Sequence, residues 1–248
     1  MKFKSTLLSI LTLVFAGLIS SANAQDAMTI LKKMDATAAA IKDKSVSMKM
    51  VMVNLKSKKE ESKEAELLQK GMNMKLFRYT APPSDAGIAT LSLPNNEIYV
   101  YLPMFKKPKK ITNLAESGAF NKSDFSLEDM ATQAYSDKYT PTLLSTNATQ
   151  YVLELKPKDP KSPYSRLVVF INKTTYCAEQ IEYFDSKNNA VKKANYHYKK
   201  VSNLWVADEV SMEDLKKQHK TTLYMSNVKL NQGLKDELFT LENLVPAK

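Results

Sequence analysis

Apolar and polar residues alternate with a period of two along most of this chain, and almost no helical spacing intervenes between the alternating runs. Val46, Met48, Met50 and Met52 alternate with Ser47, Lys49, Val51 and Val53, which turns one set of side chains to each face of a pleated strand. Further runs predict strands over residues 67–79, 87–93, 97–102, 139–146, 149–156, 165–172, 176–185, 191–200, 205–215 and 221–230. Met72, Met74 and Leu76 share one face of the long 67–79 strand, and the polar stretch 56–66 reads as a turn or as exposed strand ends. Each run closes on polar, Pro, Asn or Gly residues of the kind that turns demand. Strands in series without crossover helices build an antiparallel sheet, and about ten or more of them make a sheet that curls. The pattern therefore predicts a mainly β fold with a few helices.

Three short helical stretches accompany the strands. Asp26 caps a helix whose apolar positions Ala27, Ile30, Leu31, Met34, Ala38 and Ile41 recur at helical spacing. Ser126 and Asp129 form a capping-box-like pair around Leu127-Glu128. Residues 236–244 offer one helical turn to close an edge. No internal repeat or long linker divides the chain, so residues 25–248 read as one domain.

Composition removes several kinds of chemistry. With 5 glycines in 248 residues, glycine-rich phosphate loops are nearly excluded. The single cysteine, Cys177, leaves no intramolecular disulfide, cysteine-rich zinc site or iron–sulfur site, and a buried thiol is expected of it. His197 and His219 are the two histidines, too few to suggest a metal centre, so neither metal nor cofactor is expected. Lys and Arg number 36 against 26 Asp and Glu, yet only Arg78 and Arg166 are arginine. Sequence-reading nucleic-acid proteins rely on bidentate arginines, so no nucleic-acid partner is expected.

The first 24 residues read as a cleaved signal peptide. Lys2 and Lys4 precede the apolar run from Leu7 to Ile19, and Ala22-Asn23-Ala24 supplies a cleavage site before Gln25. No cysteine follows for lipid attachment. The expected product is exported to the periplasm, soluble and without a lipid anchor.

One ordered series of motifs resembles a known family. Arg78-Tyr79 leads to Pro82, Asp85 and Gly87, then to Tyr99-Val100-Tyr101-Leu102-Pro103 and Lys109-Lys110-Ile111. The block Lys122-Ser123-Asp124-Phe125-Ser126-Leu127-Glu128-Asp129 follows, and later Ile181-Glu182-Tyr183-Phe184-Asp185 and Asp236-Glu237-Leu238-Phe239-Thr240. This resembles the periplasmic outer-membrane lipoprotein-sorting family, the LolA-like proteins, with Ser123, Asp124, Phe125, Glu128 and Asp129 as the signature segment. The resemblance implies an incomplete antiparallel β-barrel wrapped over helices. It also implies an apolar cavity that shields lipoprotein acyl chains, an inner-membrane transporter as donor and an outer-membrane acceptor. Met74-Lys75-Leu76 stands where the well-studied carriers have an Arg-Pro pair, so no functional arginine is carried over.

Candidate cavity residues follow from the stripes: Met48, Met50, Met52, Met72, Met74 and Leu76, with Tyr99 and Tyr101 on one strand face. Methionine suits adaptable apolar binding surfaces, although core packing against the first helix explains the same stripe. The basic run Lys106, Lys107, Lys109 and Lys110 reads as a solvated turn or as a contact for anionic headgroups. Ser123, Asp124 and Ser126 could equally cap a short helix. The expected function is non-enzymatic carriage of lipoprotein acyl chains or lipids. A sensor or accessory subunit of a membrane transporter is the alternative. A hydrolase is disfavoured by the lack of a nucleophile motif.

Overall fold

The computed structural model describes residues 26–112, 123–126 and 133–245. The expected signal peptide and the expected helix around Leu127, with Glu128 and Asp129, lie outside the described residues.

Helix α1 spans residues 26–39. The first six strands are β1 (Asp43–Asn54), β2 (Glu60–Lys70), β3 (Met74–Ala81), β4 (Ala89–Leu93), β5 (Glu97–Tyr101) and β6 (Pro108–Ile111). A short helix α2 (Tyr135–Lys138) then leads into β7 (Tyr139–Thr146), β8 (Gln150–Pro157), β9 (Arg166–Asn172) and β10 (Ala178–Phe184). The chain continues through β11 (Ala190–Val201), β12 (Leu204–Asp214) and β13 (His219–Leu230) to a final helical turn, α3 (Leu241–Leu244). All 13 strands join one sheet in the order β6-β5-β4-β3-β2-β1-β13-β12-β11-β10-β9-β8-β7. Every pairing is antiparallel. Six strands therefore run outward from β1 and seven return from the far edge, so that the earliest and latest strands meet mid-sheet. The outer edges are β6 and β7, which do not pair with each other. The expected curled, unclosed antiparallel sheet is what the chain forms.

Alternation divides the side chains between two cores. Val46, Met48, Met50 and Met52 of β1, Ala65 and Leu67 of β2, and Phe77 and Tyr79 of β3 join one cluster on the inner face. The stripe Ala27, Ile30, Leu31 and Met34 brings α1 onto that cluster. Burying a side chain such as Leu31, which is 0% exposed, contributes about 2 kcal/mol. The outer face of β3–β5 carries a second cluster of Leu76, Ala89, Leu91 and Tyr101, closed by Phe239 and Leu244 from the C-terminal strap. Asp43 fastens that strap, accepting backbone N–H bonds from Gln232 (2.7 Å), Gly233 (2.9 Å) and Leu234 (3.3 Å). Arg78 donates to the carbonyl of Asn243 further along it.

Two expectations are corrected. The run 67–79 is not one strand, because a turn at residues 71–73 separates β2 from β3. Gly71 there takes a left-handed φ of +56°, a conformation that costs glycine little. Most of 56–66, expected as turn or frayed ends, is the first half of β2. Most of its outward side chains are charged, and of the inward ones Lys63, Ala65 and Leu67 are buried, so the hydrophobic pattern is faint. The second correction is β6, which takes Lys109 and Lys110 out of the expected solvated turn and pairs them with Val100 and Tyr99.

Candidate functional site

A cavity of about 150 Å³ lies on the inner face between α1 and the sheet. Met34 and Ala38 of α1 line one side, and Ile181, Tyr196 and Trp205 of the sheet line the other. Met72 reaches it from the β2–β3 turn, and Tyr135, Tyr176 and Cys177 complete the rim. The lining is almost wholly hydrocarbon and aromatic. Burial pushes the Cys177 thiol up from its ordinary range and keeps the Tyr198 phenol protonated, far above the usual tyrosine range. A cavity of this size and apolar lining has room for a benzene-sized apolar group.

Polar contacts hold α1 over this space. The Asp35 carboxylate is 8% exposed and accepts from the backbone N–H groups of Tyr135 and Ser136, both at 2.9 Å. It caps α2 across the structure, since Ala134 at the helix start contributes no side-chain cap. Thr37 Oγ1 has two carbonyls in reach of its one proton, Lys33 of its own helix at 3.1 Å and Thr175 at 3.3 Å, and Lys33 Nζ donates to the Tyr176 hydroxyl at 3.2 Å. Beneath these bonds the contact between α1 and the sheet is apolar. These few hydrogen bonds and the buried apolar stripe together hold α1 on the inner face.

The described part of the signature segment, Ser123, Asp124 and Phe125, lies in sequence between the edge strands β6 and β7 and is fixed to β13. Asp124 Oδ2 accepts from the Thr221 hydroxyl at 2.7 Å and meets His219 Nδ1 at 2.7 Å. The Asp124 N–H donates back to Thr221 Oγ1 at 3.0 Å. Phe125 enters the inner core, and Ser123 Oγ donates to the Phe125 carbonyl at 3.4 Å. Ser123 is itself buried, 2% exposed. The other histidine, His197, is exposed and pairs with Asp208 at 2.7 Å. Among the described residues no group of three His, Cys, Asp or Glu side chains is placed to hold a metal ion.

The structure does not bring the eight cavity candidates together. Met48, Met50 and Met52 are 2–4% exposed within the inner core. Of the eight, Met72 alone lines the cavity. Met74, Leu76, Tyr99 and Tyr101 belong to the outer cluster under the C-terminal strap, the face opposite α1. Lys110 pairs with Glu97, which raises the lysine's pKa and lowers the carboxylate's through that hydrogen bond. Lys106, Lys107 and Lys109 are exposed. The sequence reading missed Trp205, Tyr196, Tyr176 and Asp35. Met34 and Ala38 were visible as part of the helical stripe, whereas the others depend on strands distant in sequence.

The family model described as "-like: Uncharacterized protein" matches residues 71–245. The fold matches a Vibrio parahaemolyticus domain named for outer membrane lipoprotein sorting, with a TM-score of 0.82 and 25% identity over 90% of this chain and 99% of that one. The chain belongs to the LolA-like family. A DUF1329 family protein from Desulfovibrio piger matches the LolA-like fold at a TM-score of 0.81 and 22% identity, covering 90% of this chain and 99% of that one. A LolA superfamily protein from Nitrosomonas europaea matches at 0.71 and 23% identity, covering 86% and 97%. No curated protein matches this LolA-like chain in sequence. Among the described residues no helix is long and apolar enough to cross a membrane.

Proposed function

We propose that this LolA-like protein is a non-enzymatic periplasmic carrier that takes up acyl chains of lipoproteins or lipids beneath α1 and moves them toward the outer membrane. The observation that carries the reading is the apolar cavity between α1 and the inner face, in a fold shared with a domain named for outer membrane lipoprotein sorting. Each methylene moved from water into such a site contributes about 0.8 kcal/mol, so a dozen or so supply about 10 kcal/mol. That is enough to hold a cargo and little enough to release it to an acceptor.

The cavity is too small for a whole chain, so uptake requires α1 to move. Opening the Asp35, Thr37 and Lys33 contacts uncovers Met48, Met50 and Met52, whose flexible thioethers repack against a chain of variable length. Core in the closed state and lining in the open state are then the same residues. An inner-membrane transporter as donor and an outer-membrane protein as acceptor complete the proposal. Native mass spectrometry of the protein purified from its own periplasm tests it. Added mass matching a lipid or lipopeptide is the expected result, and protein that never carries such mass overturns the reading.

A further inference from the structure

The register of the sheet sorts its hairpin turns between two ends, and the charge is sorted with them. Six turns, at residues 55–59, 82–88, 102–107, 158–165, 185–189 and 215–218, share one end. They hold ten lysines and three aspartates, and every one of these lysines is exposed. Asp85 is engaged by Lys63, and Asp185 by Lys216. The five turns at the opposite end, 71–73, 94–96, 147–149, 173–177 and 202–203, hold one lysine, Lys173, and no acid. Adjacent basic turns touch, because Leu55 N–H donates to the Gln218 carbonyl at 2.8 Å.

The same end presents apolar side chains to solvent. Met104 is 79% exposed, Phe105 62% and Leu215 37%. Met104 and Phe105 sit in a tight helical turn at Pro103–Phe105, at the tip of the β5–β6 hairpin, with Lys106 and Lys107 directly after them. An apolar tip ringed by lysines has the composition of a surface that lies in a bilayer interface, where hydrophobic insertion and attraction to anionic headgroups act together. An acidic protein face would account for the lysines and leave Met104 and Phe105 without a role.

We propose that this basic end docks on an anionic lipid bilayer, with Met104 and Phe105 entering the headgroup layer and the turn lysines lying over the phosphates. The cavity lies toward the other end of the strands, where Met72 and Trp205 are, so the docked protein keeps it clear of the bilayer. The proposal does not depend on what the cavity holds.

Vesicle co-sedimentation of the full chain tests it, using phosphatidylcholine vesicles with and without about one-third phosphatidylglycerol. Binding to the anionic vesicles alone, weakening with salt, is expected. Lys56→Gln, Lys58→Asn, Lys106→Asn and Lys107→Gln together should weaken it about a hundredfold or more, at roughly fivefold per lysine. Lys58 and Lys106 have φ of 60° and 53°, which asparagine tolerates, and a retained melting temperature shows that the fold survives. A polarity-sensitive fluorophore on Phe105→Cys should shift to the blue on anionic vesicles. Equal binding to neutral vesicles, indifference to the four substitutions, or a fluorophore that stays in water would each overturn the proposal.

Discussion

Asp124 shows how much of this fold hangs on single buried polar groups. Its carboxylate is 4% exposed and engages both His219 and Thr221 of β13. Removing it leaves the Thr221 hydroxyl, in a residue 0% exposed, without its acceptor. Asp124→Ala is expected to cost about 2–4 kcal/mol in urea unfolding, and Thr221→Val less, with the two effects failing to add because they break one contact. Lys75 acts in the opposite sense. Burial, reinforced by the charge of Lys44, brings its pKa from 10.5 down to about 8, and burial lowers Lys44 as well. Below about 8 the folded and unfolded chains both hold the Lys75 proton, and the full cost of burying the charge is present. Between about 8 and 10.5 only the unfolded chain holds it, so the Lys75 contribution to stability rises with pH across that window. Lys75→Met should flatten the rise and raise stability at pH 7 by about 1–3 kcal/mol, read from urea midpoints at pH 7 and 9.

Helix α1 is the element on which the carrier reading turns. Asp35→Ala deprives two backbone N–H groups of their acceptor and should cost about 1–3 kcal/mol. If α1 is the lid, that variant takes up an acyl probe faster than the wild type, as measured by stopped-flow fluorescence. A merely structural Asp35 would lower stability and leave uptake unchanged or slower. The stripe that makes α1 amphipathic was legible in the sequence, and so were the strands from 139 to 230, whose runs match β7 to β13 within two residues at either end. Strand β2 was hard to read because its outer face is charged and its inner face offers few large apolar side chains. Strand β6 was hidden inside a lysine run that looked like a turn. The assignment of Met74, Leu76, Tyr99 and Tyr101 to the cavity failed for a different reason. Alternation tells that residues share a face, but not which face, and here a strap from residues 231–245 covers the outer one.

The whole molecule joins an unclosed sheet, a helix fastened over its inner face and an apolar cavity between the two. The sequence signalled the curled sheet and the family, while the cavity emerged only when strands β10 to β12 folded back beneath α1. Met50, 2% exposed, and Met72, at the cavity, separate packing from binding. Met50→Asp should unfold the domain, because a close-packed interior cannot hydrate the charge, whereas Met72→Asp should keep its melting temperature and lose probe binding. Trp205 is the one tryptophan of the chain and lines the cavity, so its fluorescence reports occupancy without any label. Titration with a fatty acid brominated along its chain should quench Trp205 saturably at one chain per protein, and Met72→Asp should abolish that quenching. Trp205 emission that stays unquenched in the folded wild-type protein would contradict the claim that acyl chains bind beneath α1.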